Sequence, residues 1–179
     1  MVNYDEIIEK AKNVGFTTAA PLSVDTLIFM PEVRDMCASG KCQKYGKSWA
    51  CPPACGTLEE MRGIVKSYEK GLILQTVGQL EDEFDWEELR AAAIKQSESF
   101  RALWKELKGE FPRLYPMGSG GCSKCEECTY PDAPCRHPDE LSSSMEACGL
   151  LVSRVCTDNN VPYNYGPKTI AYTGCFLLE

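Results

Sequence analysis

One short stretch, residues 122–138, constrains the fold of this chain more than any other. Four cysteines fall within it, the first three separated by two residues each and the fourth following after six more: Cys122, Cys125, Cys128 and Cys135. Such spacing lets a single loop present several thiolates to one compact centre, as a cubane iron–sulfur cluster requires. We therefore expect this stretch, the second cysteine box, to fold as a ligand loop.

Two metal-site templates compete for the second cysteine box. The bacterial ferredoxin run C-x2-C-x2-C-x3-C-P matches its first three cysteines well and the fourth less closely, because six residues replace three and Arg136 and His137 precede the proline. A structural zinc site more often pairs two C-x2-C units across a longer insert. The spacing favours an iron–sulfur cluster over zinc.

A first cysteine box occupies residues 37–55. It is rich in glycine and proline and also holds four cysteines, at Cys37, Cys42, Cys51 and Cys55. Its spacing fits no common zinc template, while Cys51-Pro52 resembles the Cys-Pro pair that follows a cluster ligand in ferredoxins. We predict a second ligand loop here, and all eight box cysteines are candidate metal ligands.

The remaining cysteines and the only histidine bear on reactivity. Cys148, Cys156 and Cys175 lie in apolar surroundings and are predicted to be buried core thiols. His137 is the only histidine in the chain, so nucleophilic catalysis that needs a histidine base is disfavoured. His137 could instead tune or ligate the second centre, or lie on the loop surface.

Charge and composition limit which partners the protein could bind and which cellular compartment it could occupy. The net charge of −7 argues against nucleic-acid binding, which needs a basic face, and two oxidised cubanes would lower the charge to about −11. A protein partner should therefore present a basic docking surface. No signal-like segment or membrane-spanning run is apparent, and eleven clustered thiols fit a reducing compartment, so we expect a cytoplasmic protein.

Hydrophobic periodicity predicts helices alternating with strands. The expected helices cover residues 4–14, 57–69, 85–108 and 143–159, and the expected strands cover 16–20, 72–77, 112–117 and 168–178. This order predicts an α/β or α+β sandwich with one main sheet, the boxes lying in loops at its end or edge. We expect one domain over 1–179, with similar halves at about 1–80 and 85–179 that suggest an internal duplication.

The two boxes together resemble a known family of prokaryotic, cysteine-rich, predicted metal-binding proteins, domain of unknown function number 2284. The resemblance is carried by the eight box cysteines with Tyr45, Gly46, Trp49 and Pro53, by Arg136 and Pro138, and by the run Ser144-Met145-Glu146-Ala147. It covers nearly the whole chain. Membership implies metal binding, with iron–sulfur clusters the commonest expectation, and implies no particular reaction.

Three functions remain open from the sequence. The first is an iron–sulfur protein with two [4Fe–4S] clusters that transfers electrons to a partner enzyme. The second is an enzyme in which one cluster, held by three cysteines, leaves an iron open as a Lewis acid for a small substrate. The third is a zinc-stabilised interaction module in which the metal contributes folding energy only.

Overall fold

The computed structural model describes residues 2–82 and 84–179 and shows an α+β fold. Five helices are present in this part of the chain: α1 (Tyr4–Asn13), α2 (Pro31–Ala38), α3 (Leu58–Val65), α4 (Trp86–Leu107) and α5 (Val152–Asp158). The strands are β1 (Thr18–Ser23), β2 (Lys70–Gln79), β3 (Leu114–Gly118), β4 (Ser143–Ser144) and β5 (Thr169–Leu178). Within these residues, no helix is both long enough and apolar enough to cross a membrane.

All five strands form one mixed sheet in the order β1-β2-β5-β3-β4. Its centre is the antiparallel pair β2 and β5, in register from Lys70 opposite Leu178 to Gln79 opposite Thr169. The other pairs are also antiparallel except for the short parallel pair of β3 and β4. The sheet therefore places the two longest strands side by side at its middle.

Helices cover both faces of this sheet. On one face α1 and α4 pack against alternate residues of the central strands, among them Leu72, Leu74 and Phe176. On the other face α3 and α5 pack against the residues between them, such as Ile73 and Leu177. Because both faces are buried, the central strands are continuous apolar runs rather than alternating ones.

Two helix starts follow the sequence prediction. Thr57 and Glu60 form a reciprocal capping box at the start of α3, in which each side chain accepts a hydrogen bond from the other residue's backbone N–H. Asp85 caps α4 by accepting from the Glu88 N–H at 3.1 Å. Both caps are local patterns that the sequence alone reveals.

Three predictions were wrong in detail. The first strand does not stop at Pro21 but runs through it to Ser23, which an edge strand permits because proline lacks only a donor that would face away from the sheet. Helix α2 was not among the expected helices, and its last two residues belong to the first cysteine box, which was expected to be a loop throughout. The helix expected over 143–159 is replaced by β4, a turn and the short α5.

Both halves of the chain contain a helix, a strand, a cysteine box, a helix and a strand in that order, but the first half adds α2 at its box and the second adds β4 after its box. In the sheet, β1 flanks β2 on one side of the central pair and β3 flanks β5 on the other. A common origin of the two halves stays a prediction.

Candidate metal centres

The second cysteine box follows β3 and lies at the end of the sheet. Its four cysteines, Cys122, Cys125, Cys128 and Cys135, all line one small cavity, and each is partly buried. Residues of the first box, Lys44, Ser48 and Trp49, complete the lining together with Thr129, Arg136, His137 and other neighbours. The structure thus brings the whole predicted ligand set of this box around one space.

Positive charge surrounds this cavity. Lys44, Lys124 and Arg136 line it, and Arg136 is held by a 2.9 Å hydrogen bond from its Nη1 to the Glu127 carbonyl oxygen. Burial opposes ionisation of Cys128, but the backbone of Tyr130 and of Trp49, the Ser48 side chain and Arg136 together lower its pKa. The surroundings therefore favour a thiolate at Cys128, the form that binds metal.

His137 also lines the cavity. Its backbone N–H donates a hydrogen bond to the Cys135 sulfur at 3.4 Å. Amide N–H groups directed at cluster sulfurs are one means by which a protein adjusts a cluster's reduction potential. His137 therefore lies beside the second candidate centre, and both tuning and ligation by this residue stay predictions.

The first cysteine box spans the end of α2 and the loop after it. Cys37 belongs to α2, Cys42 is exposed, Cys51 is buried and Cys55 is partly buried. Burial, followed by the charges of Cys42, Cys55 and Cys37, raises the pKa of Cys51 to about 11. These four thiols are thus close enough to repel one another when ionised, and a bound cation would relieve that repulsion.

Two residues beside the first box were not predicted as part of the site. Arg34 donates from Nη1 to the Ala147 carbonyl oxygen at 2.8 Å and from Nη2 to that of Gly56 at 2.7 Å. The charges of Arg34 and Glu146 act on the pKa of Cys37 in opposite directions, Arg34 lowering it and Glu146 raising it. Glu146 lay in the motif that carried the family resemblance, whereas Arg34 precedes the first box and gave no sequence signal.

The two boxes are in direct contact. The Trp49 indole N–H donates to the Ala133 carbonyl oxygen at 3.0 Å, and the Trp49 and Tyr130 rings pack edge to face with centroids 4.9 Å apart. Ser48 is buried and acts on the pKa values of Cys51 in its own box and of Cys128 in the other. The aromatic residues of the boxes therefore join the two loops, and the candidate centres are neighbours.

The other three cysteines lie in the hydrophobic core. Cys148, Cys156 and Cys175 are fully buried among apolar side chains, and the Cys148 sulfur lies 3.8 Å from that of Met61. Burial raises the pKa of each of these thiols. They are accordingly poor nucleophiles and fit the predicted role of core residues.

The described cysteines of the second box are not arranged around a single ion. Four thiolates around one zinc at 2.3 Å would bring their sulfurs to about 3.8 Å from one another. Among residues 2–82 and 84–179, no three cysteine, histidine, aspartate or glutamate side chains converge closely enough to hold one metal ion. The four cysteines line one cavity together with His137, Glu140 and other polar residues, and thiolates of this kind are the donors found both in zinc sites and in iron–sulfur clusters.

The chain was compared with family models, curated proteins and solved structures, and a family model matches it. No curated protein and no solved structure matches the chain significantly. A family model described as "Predicted metal-binding protein (DUF2284)" matches residues 20–178, a span that includes both boxes and all five strands except the first two residues of β1. Because this match covers most of its length, the chain belongs to that family of predicted metal-binding proteins.

Proposed function

We propose that this protein binds two [4Fe–4S] clusters, one in each cysteine box, and carries single electrons to a partner enzyme inside the cell. The observation that carries the proposal is the cavity shared by Cys122, Cys125, Cys128 and Cys135. The first box supports it because its other three thiols, once ionised, would raise the pKa of Cys51, and a bound cation would offset that effect. When bound, the clusters supply one-electron redox chemistry.

The donor set favours electron transfer over catalysis at the metal. A cubane held by four cysteines has a protein ligand on every iron, which leaves no position for a substrate. The contact between the boxes through Ser48 and Trp49 makes the two centres neighbours. Neighbouring centres suit a protein that accepts an electron at one surface and releases it at another.

A basic partner fits the surface near the start of α4. Phe84 and Trp86 are 74% and 73% exposed there, unusually high values for large aromatic side chains. Exposed acidic residues accompany them at Glu81, Asp82, Glu87 and Glu88, while Glu83 lies outside the described residues. Aromatic anchors within an acidic surface are suited to docking a protein that presents apolar and basic side chains.

Metal analysis of protein purified without oxygen tests the proposal directly. We expect about eight irons per chain and a brown colour that bleaches with dithionite, as two cubanes would give. A colourless protein that contains zinc would contradict both iron hypotheses and leave the zinc-stabilised interaction module.

Serine variants assign the cysteines to centres. Cys125→Ser and Cys51→Ser should each remove about half of the iron, since each disrupts one cubane. The buried Cys156→Ala is the matched control and should keep all of it. If Cys37→Ser or Cys135→Ser leaves the iron content unchanged, that centre uses three cysteines, and the alternative of an enzyme with an open iron replaces electron transfer.

A further inference from the structure

A second, larger cavity lies beside the second box. It is enclosed by α4, by the Gly118–Gly121 segment and by the start of the box, and its volume is about 420 Å³. That volume lies within the range of small-molecule binding sites. Cys122, Lys124 and Glu140 line this cavity and also the cysteine cavity, so the two spaces share a wall.

The lining of the larger cavity is positively charged. Arg90, Arg101 and Lys124 contribute three cations against the single carboxylate of Glu140, which is paired with Lys124. In the described part of the chain, neither Arg90 nor Arg101 forms an ion pair with a carboxylate; Arg101 donates only to the Ser97 hydroxyl, at 2.9 Å. In a chain of net charge −7, this local excess of positive charge favours an anionic ligand.

A buried amide without a partner lines the same cavity. Gln96 is only 3% exposed, and neither its Nε2 nor its Oε1 has a hydrogen-bond partner among residues 2–82 and 84–179. A buried polar group without a partner costs about 1–3 kcal/mol, so native proteins rarely leave one without a purpose. Both amide atoms are themselves enclosed, so Gln96 contributes a buried polar side chain to the wall and not a contact with a ligand in the cavity.

The rest of the wall is apolar and aromatic. Ile94, Phe100, Trp104 and Tyr172 line the cavity, and Tyr172 is fixed by a 3.2 Å hydrogen bond from its hydroxyl to the Leu89 carbonyl oxygen. Ile94 is 47% exposed although it is a large aliphatic residue. Apolar walls with a few convergent polar groups are characteristic of sites for small organic molecules.

We propose that this cavity binds a small organic anion, a carboxylate or phosphate ester attached to an apolar or aromatic group. Arg101, Arg90 and Lys124 attract the anionic end, and the aromatic wall contacts the apolar part. The ligand then lies against Cys122, beside the second candidate centre. Binding does not depend on which metal the cysteines hold.

Titration calorimetry with three probes tests this site on protein purified without oxygen. Benzoate and phenyl phosphate should bind one per chain, and benzamide, which has the same ring without the charge, should bind at least about tenfold more weakly. Arg101→Gln should weaken benzoate binding by about tenfold or more, because it removes a charge-assisted contact. Ile94→Glu should weaken it as well by placing a negative charge at an exposed part of the wall, where it does not disturb the core.

Arg154→Gln is the matched control. Arg154 is exposed and pairs with Asp158 on α5, outside the cavity, so its removal should leave benzoate binding unchanged. The proposal is overturned if neither anion binds at millimolar concentration, if benzamide binds as tightly as benzoate, or if Arg101→Gln and Ile94→Glu bind like the wild type. Iron content measured on the same samples separates this result from the proposed cluster function, since either can fail without the other.

Discussion

The indole N–H of Trp49 donates a 3.0 Å hydrogen bond to the carbonyl oxygen of Ala133. The two residues are 84 positions apart in the chain and belong to different cysteine boxes. This bond and the packing of Trp49 on Tyr130 hold the two loops together. Substitution of Trp49 should therefore alter the packing of both boxes.

Trp49→Phe keeps an aromatic ring but removes the donor to Ala133. We expect the free energy of unfolding to fall by about 0.5–1.5 kcal/mol, the net value of a typical hydrogen bond. Denaturant unfolding of the protein with its metals bound measures this change. Trp86→Phe is the matched control, because Trp86 is 73% exposed and the same substitution there should change stability by less than about 0.5 kcal/mol.

Arg34→Lys should destabilise the region around the first box. A lysine cannot reproduce the planar fork that reaches the carbonyl oxygens of Ala147 and Gly56 together, so we expect a loss of about 1–3 kcal/mol in the free energy of unfolding. The first centre should also lose its metal faster to a chelator. Arg154→Lys, at an exposed ion pair, should show neither effect, and equal behaviour of the two variants would contradict the bridging role of Arg34.

The start of α4 should depend on pH through Asp85. Hydrogen bonds from the backbone N–H groups of Glu81 and Glu88 lower the pKa of its carboxyl group. The contribution of Asp85 to stability is therefore complete above the unfolded pKa of about 4 and is lost as the pH falls through the lower folded pKa. Amide hydrogen exchange in the first turn of α4 should accelerate over that range once the intrinsic pH dependence of exchange is removed. Asp85→Asn keeps the cap without the titrating group, and a pH response identical to that of the wild type would refute this assignment.

Cys175 and Cys42 should respond in opposite ways to substitution by serine. Cys175 is fully buried between the sheet and the helices, so a hydroxyl there should cost about 1–3 kcal/mol in the free energy of unfolding and leave the metal content unchanged. Cys42 is exposed, so Cys42→Ser should leave the packing of the core intact and reduce metal in the first centre. Unfolding curves and metal analysis of the two variants, side by side, check both expectations, and loss of metal from Cys175→Ser with retention in Cys42→Ser would contradict them.

Local patterns predicted much of the fold. The capping box at Thr57 and Glu60, the start of α4 near residue 85 and the apolar runs of β2 and β5 depend on residues close in sequence, and each appears where it was expected. A similar pattern at Ser143–Glu146 was misleading. Ser144 does accept a hydrogen bond from the Ala147 N–H at 3.1 Å, but the chain makes only one turn there.

Gly149 explains why that turn does not continue as a helix. Its φ of +85° is a left-handed conformation that suits glycine, and a Cβ at this position would lie 2.2 Å from the Leu58 side chain. Because α3 packs so closely here, the position requires glycine and the helix cannot continue through it. A local sequence pattern does not reveal tertiary packing of this kind. The order of the two halves was predicted on the same local basis, and their common origin stays untested.

Only part of the site was predicted from the sequence, because the rest depends on contacts between residues that are far apart in the chain. Spacing within a loop of fewer than twenty residues was enough to group the cysteines of each box. Arg34 and Glu146 join the first box from positions more than one hundred residues apart, and the contact of Trp49 with Ala133 also crosses between halves. These residues become neighbours only when the sheet brings the two halves of the chain together.

β5 is the last strand of the sheet to be synthesised, and it lies between β2 and β3. Until it emerges, β2 and β3 have no common partner, and the two sides of the sheet remain unjoined. Both cysteine loops have by then been translated, because each precedes β5 in the chain. The order of synthesis therefore places all eight box thiols in the chain before the strand that joins the two sides of the sheet around them.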